Sequence, residues 1–441
     1  MKGHFRSFLH ACSIVGAITL ASCGGSGSGD ANGTNMSAAS TGGAGMRAMT
    51  HVAPTVVSPA FYVSPTGSDS NSGLSTSEPF LTLERAQTAM QGSSTKTTYL
   101  LGGTFARSTT LTLGANDAGE SWLGYPNEVP VLDGKTKTNI GIYIAASHVT
   151  VRWLTLQSYT QTGIEAENAN ASWIDSNKIQ DIHSTAFNEG AIILAETVSG
   201  MTISHNSIYN TGWVGIGVVN GPANSIVNVT IEYNAVSKTC QTVSDCGGIY
   251  AENRAHNTSN VEILNNVISN FGSISNESKG IYLDDELSYV TVERNIVYGT
   301  GSYGFQVHGG DHNTFQNNIF DISGATALGV YQYDGSYPNY GMASNEITCN
   351  IVYSSASAPT SLWYDSIVNG VDVGPTVNAN VYWGTIQSLA KAQPFPDTAP
   401  IYGTEDFVNP ANGNYNFTSG PPTGCGFTAI NTSTVGPSPN T

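Results

Sequence analysis

Only 11% of the 441 residues are charged, 49 are glycine, and the formal net charge is -17. Nucleic acids and anionic membrane surfaces are bound by clustered Lys and Arg, and this acidic chain has no such cluster. Asn, Ser and Thr crowd between short apolar segments, the composition of an all-β, turn-rich chain rather than a helical one.

At the N-terminus, Lys2 and Arg6 lead into an apolar stretch over residues 8–20 and then Leu20-Ala21-Ser22-Cys23. This resembles a bacterial lipoprotein signal. The resemblance implies cleavage after residue 22, lipidation of Cys23, and an anchor in the outer membrane, on its periplasmic or cell-surface face, since Gly24 rather than Asp follows. The bilayer would then be a partner through the acyl chain. Residues 23–58 are small and polar and read as a flexible tether. No other stretch is long and apolar enough to span a bilayer.

Residues 59–140 read as an N-terminal cap and the first coils. FYVSPTGSDSNSGLS is a strand followed by an Asp/Ser/Gly turn; its 64–75 portion could bind a cation, although such loops are more often hydrogen-bonded turns. Residues 79–90 have helical spacing in Phe80, Leu83, Ala86 and Met90, which predicts a helix covering the open end of a solenoid.

Over 141–385 one residue recurs. Asn177, Asn206, Asn234, Asn266, Asn295, Asn318, Asn350 and Asn380 follow one another at 29, 28, 32, 29, 23, 32 and 30 residues. A fixed period of this size signals a solenoid, and an inward Asn once per coil can satisfy buried backbone groups at a bend. Such a ladder belongs to a parallel β-helix. The shortest interval, between Asn295 and Asn318, leaves little room for a covering loop and predicts an open cleft there.

A second marker is Gly followed by alternating residues, as in GIEAEN, GAIILA, GIGVVN, GIYAEN, GIYLDD, GFQVHG and GVYQYD, with SLWYDS lacking the Gly. Alternation sends Ile281 and Leu283 inward and Tyr282 and Asp284 toward solvent. Stacking the coils predicts one outward column of Tyr250, Tyr282, Gln306, Tyr331 and Trp363. A second would hold Glu167, Leu194, Val219, Glu252, Asp284, His308, Tyr333 and Asp365, with Asp285 one residue further on. Neighbours in a column stand about 4.8 Å apart. The aromatic column has the shape of a binding strip for an extended glycan.

Glu252, Asp284, Asp285 and His308 fall on consecutive coils beside that strip. Crowded carboxylates push their pKa values apart, so that one can serve as acid and another as base or nucleophile. Glycoside hydrolysis needs such a pair. On this reading Asp284 is the principal catalytic residue, with Glu252 or Asp285 as its partner and His308 in support, and no cofactor is required. Clustered carboxylates also suit calcium. A calcium-dependent polysaccharide lyase or epimerase is therefore an alternative, with Arg254 and Lys279 flanking the cluster, and a non-catalytic glycan-binding adhesin is another.

Four cysteines remain in the exported part: Cys240, Cys246, Cys349 and Cys425. Their even number suggests disulfides. Cys240 with Cys246 would close a short loop and leave Cys349 with Cys425 to pin residues 386–441, a tail on the solenoid; all three pairings stay open. A monomer is expected.

GESWLGYPNEVPVLDG (119–134), GIYLDDELSYVTVERNIVY (280–298), GFQVHGGDHNTFQNNIF (304–320) and, in the tail, EDFVNPANGNYNF and GFTAINTSTVGP resemble right-handed parallel β-helix proteins of bacteria. They are most similar to glycoside hydrolase family 141. That resemblance implies a right-handed helix and a glycosidase of the fucosidase or xylanase kind. Polygalacturonases have a similar order of a carboxylate, Asp-Asp one coil later, and a His-containing Gly phrase, here Glu252, Asp284 with Asp285, and His308. This chain has Glu where those enzymes have Asp, His-Gly-Gly instead of Gly-His-Gly, and no Arg-x-Lys phrase on the next coil, which speaks against galacturonate.

Overall fold

The computed structural model describes residues 55–441 except 222, 256, 273–276, 333–341, 343, 358–361, 367–373, 390–394, 439 and 441; for residues 363–366 it describes only the backbone. Cys23 and the signal segment lie outside the described residues, as does Tyr333.

Among the described residues, successive coils contribute strands to three large parallel sheets, two of twelve strands and one of ten. Each strand pairs with its equivalent one coil away, for example Ile203 with Ile231, Ile231 with Ile263 and Ile263 with Val292. Alternate residues of these short strands face inward, so the same four residues form a buried apolar stack. Burial of one such row per sheet supplies the core, and a solenoid lengthens without enlarging it.

The open end is capped as expected, with a shift. Strand Phe61–Val63 joins a sheet edge, and the helix is Leu83–Gln91 with Leu83, Ala86 and Met90 buried. It starts later than residue 79 because Phe80 bridges to Val63 and Thr82 takes the N-cap, its hydroxyl accepting from the Arg85 amide. Asp69, the carboxylate of the 64–75 turn, accepts from the amides of Leu81 and Thr82 and from the Thr82 hydroxyl. That loop therefore serves as a hydrogen-bonded turn at the helix start.

All eight recurring asparagines form a buried ladder. The Asn266 side-chain oxygen accepts from the backbone amide and the side-chain amide of Asn234 at 2.9 and 3.0 Å. Asn266 in turn donates to Asn295 and to the Ile231 carbonyl. At the far end Asp397 accepts from Asn380. The residue before each ladder Asn is left-handed without being glycine, as in Ser176, His205, Tyr233, Asn265 and Arg294. That conformation costs roughly 1–2 kcal/mol per residue, and the ladder bonds hold the bend against it.

Both expected disulfides are present, Cys240–Cys246 and Cys349–Cys425. Beyond Cys425 the tail runs back along the left-handed turns. Thr428 exchanges hydrogen bonds with Asn317, the Gly436 amide donates to the Tyr233 carbonyl, Ser438 meets Ser176, and Asn440 donates to the Tyr125 carbonyl. The tail thus straps coils that are far apart in sequence. Because Cys349–Cys425 closes a separation of 76 residues, replacing both by Ser should destabilise the protein by about 2–4 kcal/mol, read as a lower denaturation midpoint under non-reducing conditions. An unchanged midpoint would mean the strap holds without its covalent pin.

Candidate functional site

The ten-stranded sheet carries strands Cys246–Glu252, Ser278–Asp284 and Tyr303–His308 on consecutive coils. Their register sets Tyr250 against Tyr282 and Glu252 against Asp284, and Tyr282 against Gln306. Gly248 and Gly280 fix the close approach at the strand starts: a Cβ on Gly248 would sit 2.4 Å from Ile268 Cγ2 and 2.9 Å from the Gly280 carbonyl. Residues separated by more than fifty positions become one cluster.

Within it, His308 Nδ1 lies 2.6 Å from Asp284 Oδ1 and 3.7 Å from Asp285 Oδ1. The Tyr250 hydroxyl is 2.8 Å from Glu252 Oε2 and 2.8 Å from Asp284 Oδ2. Arg254 donates to Glu252 at 2.9 Å and also holds Asp285. Glu252 and Asp284 are buried. Asp285, His308 and Arg254 are partly exposed, at 15%, 17% and 35%, although His308 Nε2 itself is buried.

The environments differ enough to separate the protonation states. Burial pushes Glu252 up to about 8, against the pull of Arg254 and Tyr250. Burial also works to raise Asp284, but the hydrogen bond and charge of His308, with Tyr250 and the Asp285 amide, outweigh it and hold Asp284 below the usual carboxylate value. Asp285 is raised by burial and by the charge of Asp284, with Arg254 and His308 opposing. Three carboxyl groups thus share one guanidinium and one imidazole, an arrangement that favours a retained proton.

The aromatic column is not a solvent-facing strip. Tyr250, Tyr282, Gln306 and Tyr331 are all buried. Trp213 packs against Tyr250 and Tyr250 against Tyr282, with ring centroids 5.0 and 5.2 Å apart. Ile193, Val219 and the Cys240–Cys246 pair complete this small outer core. Lys279 lies over the Tyr282 ring at 4.1 Å and pairs with Asp245, so it does not flank the carboxylates. Arg254 does flank them, folding back onto Glu252 and Asp285.

Register corrects the column further. Val307 pairs with Tyr331 and Gln306 with Val330, so Tyr331 belongs to the interior, where its hydroxyl donates to the Met342 carbonyl and accepts from the Asn345 side chain. Trp363 pairs with Gly329 and Asp365 with Tyr331, so neither shares the register position of Tyr282 or Asp284. Glu167 pairs with Ala195 rather than Leu194. The residue beside His308 is Gln332. A slip of one residue exchanges the two faces of a strand, and aligning coils on their glycines introduced it: Gly304 lies against the Leu328 carbonyl, one position before Gly329.

Alternation does point to one further pair. Glu165 stands two residues before Glu167 on the same face; burial and Glu167 push it up to about 7, and the Tyr143 hydroxyl donates to Glu167. Unlike the cluster around Asp284, this pair has no cation within it in the described contacts.

Among the described residues, Asp284, Asp285 and His308 have possible ligand atoms within 4.8 Å of one another. They do not fit calcium, which takes six to eight oxygens. One donor is an imidazole nitrogen, Asp285 is held by Arg254, and both Asp284 oxygens are engaged by His308 and Tyr250.

Several solved structures share this architecture. A GH136 lacto-N-biosidase from Eubacterium ramulus matches with a TM-score of 0.51 at 12% identity, covering 78% of this chain and 67% of its own. The PL6 family alginate lyase AlyGC matches at 0.50 and 13%, covering 86% of this chain and 58% of its own. PfbA, a surface adhesin of Streptococcus pneumoniae, matches at 0.51 and 13%, covering 68% of this chain and 80% of its own. At these identities the likeness is one of fold. A comparison with curated protein sequences finds no match. The model of the right handed beta helix region matches residues 140–320 and 239–371. With more than half of its length so matched, and with three parallel sheets wound by successive coils, the chain belongs to the right-handed β-helix family.

Proposed function

We propose that this protein hydrolyses a glycan. Asp285 gives its proton to the leaving oxygen, a water adds to the anomeric carbon and releases its proton to solvent, and His308, held by Asp284, sets the charge beside Asp285. The observation that carries this reading is Asp285, 15% exposed beside two buried carboxyl groups, with His308 Nδ1 3.7 Å away and bound to the buried Asp284. Buried carboxylates are costly to keep, and crowded, perturbed titratable groups concentrate where chemistry is done. We move the principal role from Asp284 to Asp285 because its side chain is the more exposed, 15% against 8%.

Structures named as a lacto-N-biosidase, an alginate lyase and an adhesin share the fold, which supports a glycan as partner and leaves the chemistry to the site. Hydrolysis is favoured over elimination by the cations: Arg254 is engaged by Glu252 and Asp285, and Lys279 by Asp245, so neither is poised to take a proton or clamp a uronate. A net charge of -17 likewise favours a neutral glycan. An acyl chain on Cys23 and the 23–58 tether would hold the enzyme at the outer membrane.

Product analysis on a panel of polysaccharides and oligosaccharides, with and without chelator, tests the reading. New reducing ends without ultraviolet-absorbing products, indifferent to chelator, are expected. Unsaturated products dependent on calcium would replace hydrolysis with elimination, and retention of a glycan with no product would make the protein a binder.

A further inference from the structure

Tyr250 sits between two carboxyl groups with one proton to give. Its oxygen is 2.8 Å from Glu252 Oε2 and 2.8 Å from Asp284 Oδ2, and all three residues are buried. A phenol donates one hydrogen bond. If both carboxylates were ionised, one of the two contacts would set an anionic oxygen against a lone pair with no hydrogen between them, which a buried site does not sustain. One carboxyl group must therefore supply the second proton.

The neighbours decide which. Asp284 faces His308 from the following coil, at 2.6 Å, and the Asp285 amide from its own turn, at 2.8 Å. It also has Tyr282 on its own strand. These contacts favour an anion. Glu252 faces Tyr250 through Oε2 and Arg254 through both oxygens, but that one guanidinium also holds Asp285 and so is divided between two carboxyl groups. Beyond Tyr282, Lys279 is paired with Asp245.

Resting on the hydrolase reading for its role in turnover, we infer that Tyr250 is a positioning residue that binds Glu252 and Asp284 into a unit holding one proton. Glu252 carries that proton and donates it to the Tyr250 oxygen, while Tyr250 donates to Asp284 and keeps it ionised beneath His308. Nothing in the substrate touches Tyr250; it acts through Asp284 and hence through the imidazole.

Infrared spectroscopy of the whole protein reads the claim without substrate. At neutral pH the wild type minus Glu252→Gln difference spectrum should contain the carbonyl stretch of an un-ionised carboxylic acid, and the band should move in a Tyr250→Phe background, where its hydrogen-bond acceptor is gone. Absence of the band from the difference spectrum would overturn the proposal. Kinetics give a second route: without the Tyr250 hydroxyl Asp284 loses a donor to its charged form, so the acidic limb of kcat/KM in Tyr250→Phe should rise by about one to two pH units. A uniform loss of activity with the limb in place would mean that Tyr250 merely packs, and would overturn its positioning role. A glycan panel without products would sink the hydrolase reading and leave the infrared result intact; an active enzyme lacking the band would sink only this inference.

Discussion

Asp285→Asn is expected to lower kcat/KM on any glycan that the protein cleaves by about 100- to 10,000-fold, the usual range for removing a general acid. Asn keeps the shape and can still accept from Arg254, so folding should survive, as a near-normal thermal transition would show. The pH profile gives the sign. Burial and the charge of Asp284 keep the Asp285 proton in place above the usual aspartate value, so wild-type activity should persist above that value and fall as Asp285 ionises. In Asp285→Asn that alkaline fall should vanish along with most of the rate. Unchanged activity would remove Asp285 from the chemistry.

Asn266→Ala is expected to cost about 3–5 kcal/mol, because it orphans several buried groups together rather than deleting one contact. The Asn234 amide and side chain lose their acceptor, and the Ile231 carbonyl loses a donor. The left-handed Asn265 immediately before it loses the bonds that hold its bend. Among the described residues the exposed Asn416 side chain bonds locally, to Asn414, and its replacement by Ala should cost less than about 0.5 kcal/mol. Denaturation midpoints of the two variants check the contrast. A cost below 1 kcal/mol at position 266 would mean that the ladder follows from the coil geometry instead of supporting it.

The ladder was legible because one residue type recurs at one structural position and each member satisfies the next. The chemistry-bearing cluster was legible for the same reason: between Cys246 and His308 the Gly phrases and the strand register coincide. Where they part, the reading slips by one. Phe305 is buried beside Phe315 and Phe320, and the next coil sets Gly329 against it, so that Tyr331 turned out to be interior. Burial of Tyr250 and Tyr282 was not legible, because their cover comes from Trp213 and the Cys240–Cys246 loop, which lie outside the repeated phrases. Nor could alternation along one strand reveal that Arg254, on the turn after Glu252, folds back to join two carboxylates. Period fixes which residues share a face; what covers that face is decided by segments with no period.

If Asp285 protonates the leaving oxygen, the cost of losing it depends on the leaving group. Wild type and Asp285→Asn should be compared on the natural glycan and on the matching glycoside with a dinitrophenyl leaving group, which departs without a proton. A large loss on the natural glycan and a much smaller one on the activated substrate are expected. An equal loss on both would mean that Asp285 does not protonate the leaving oxygen.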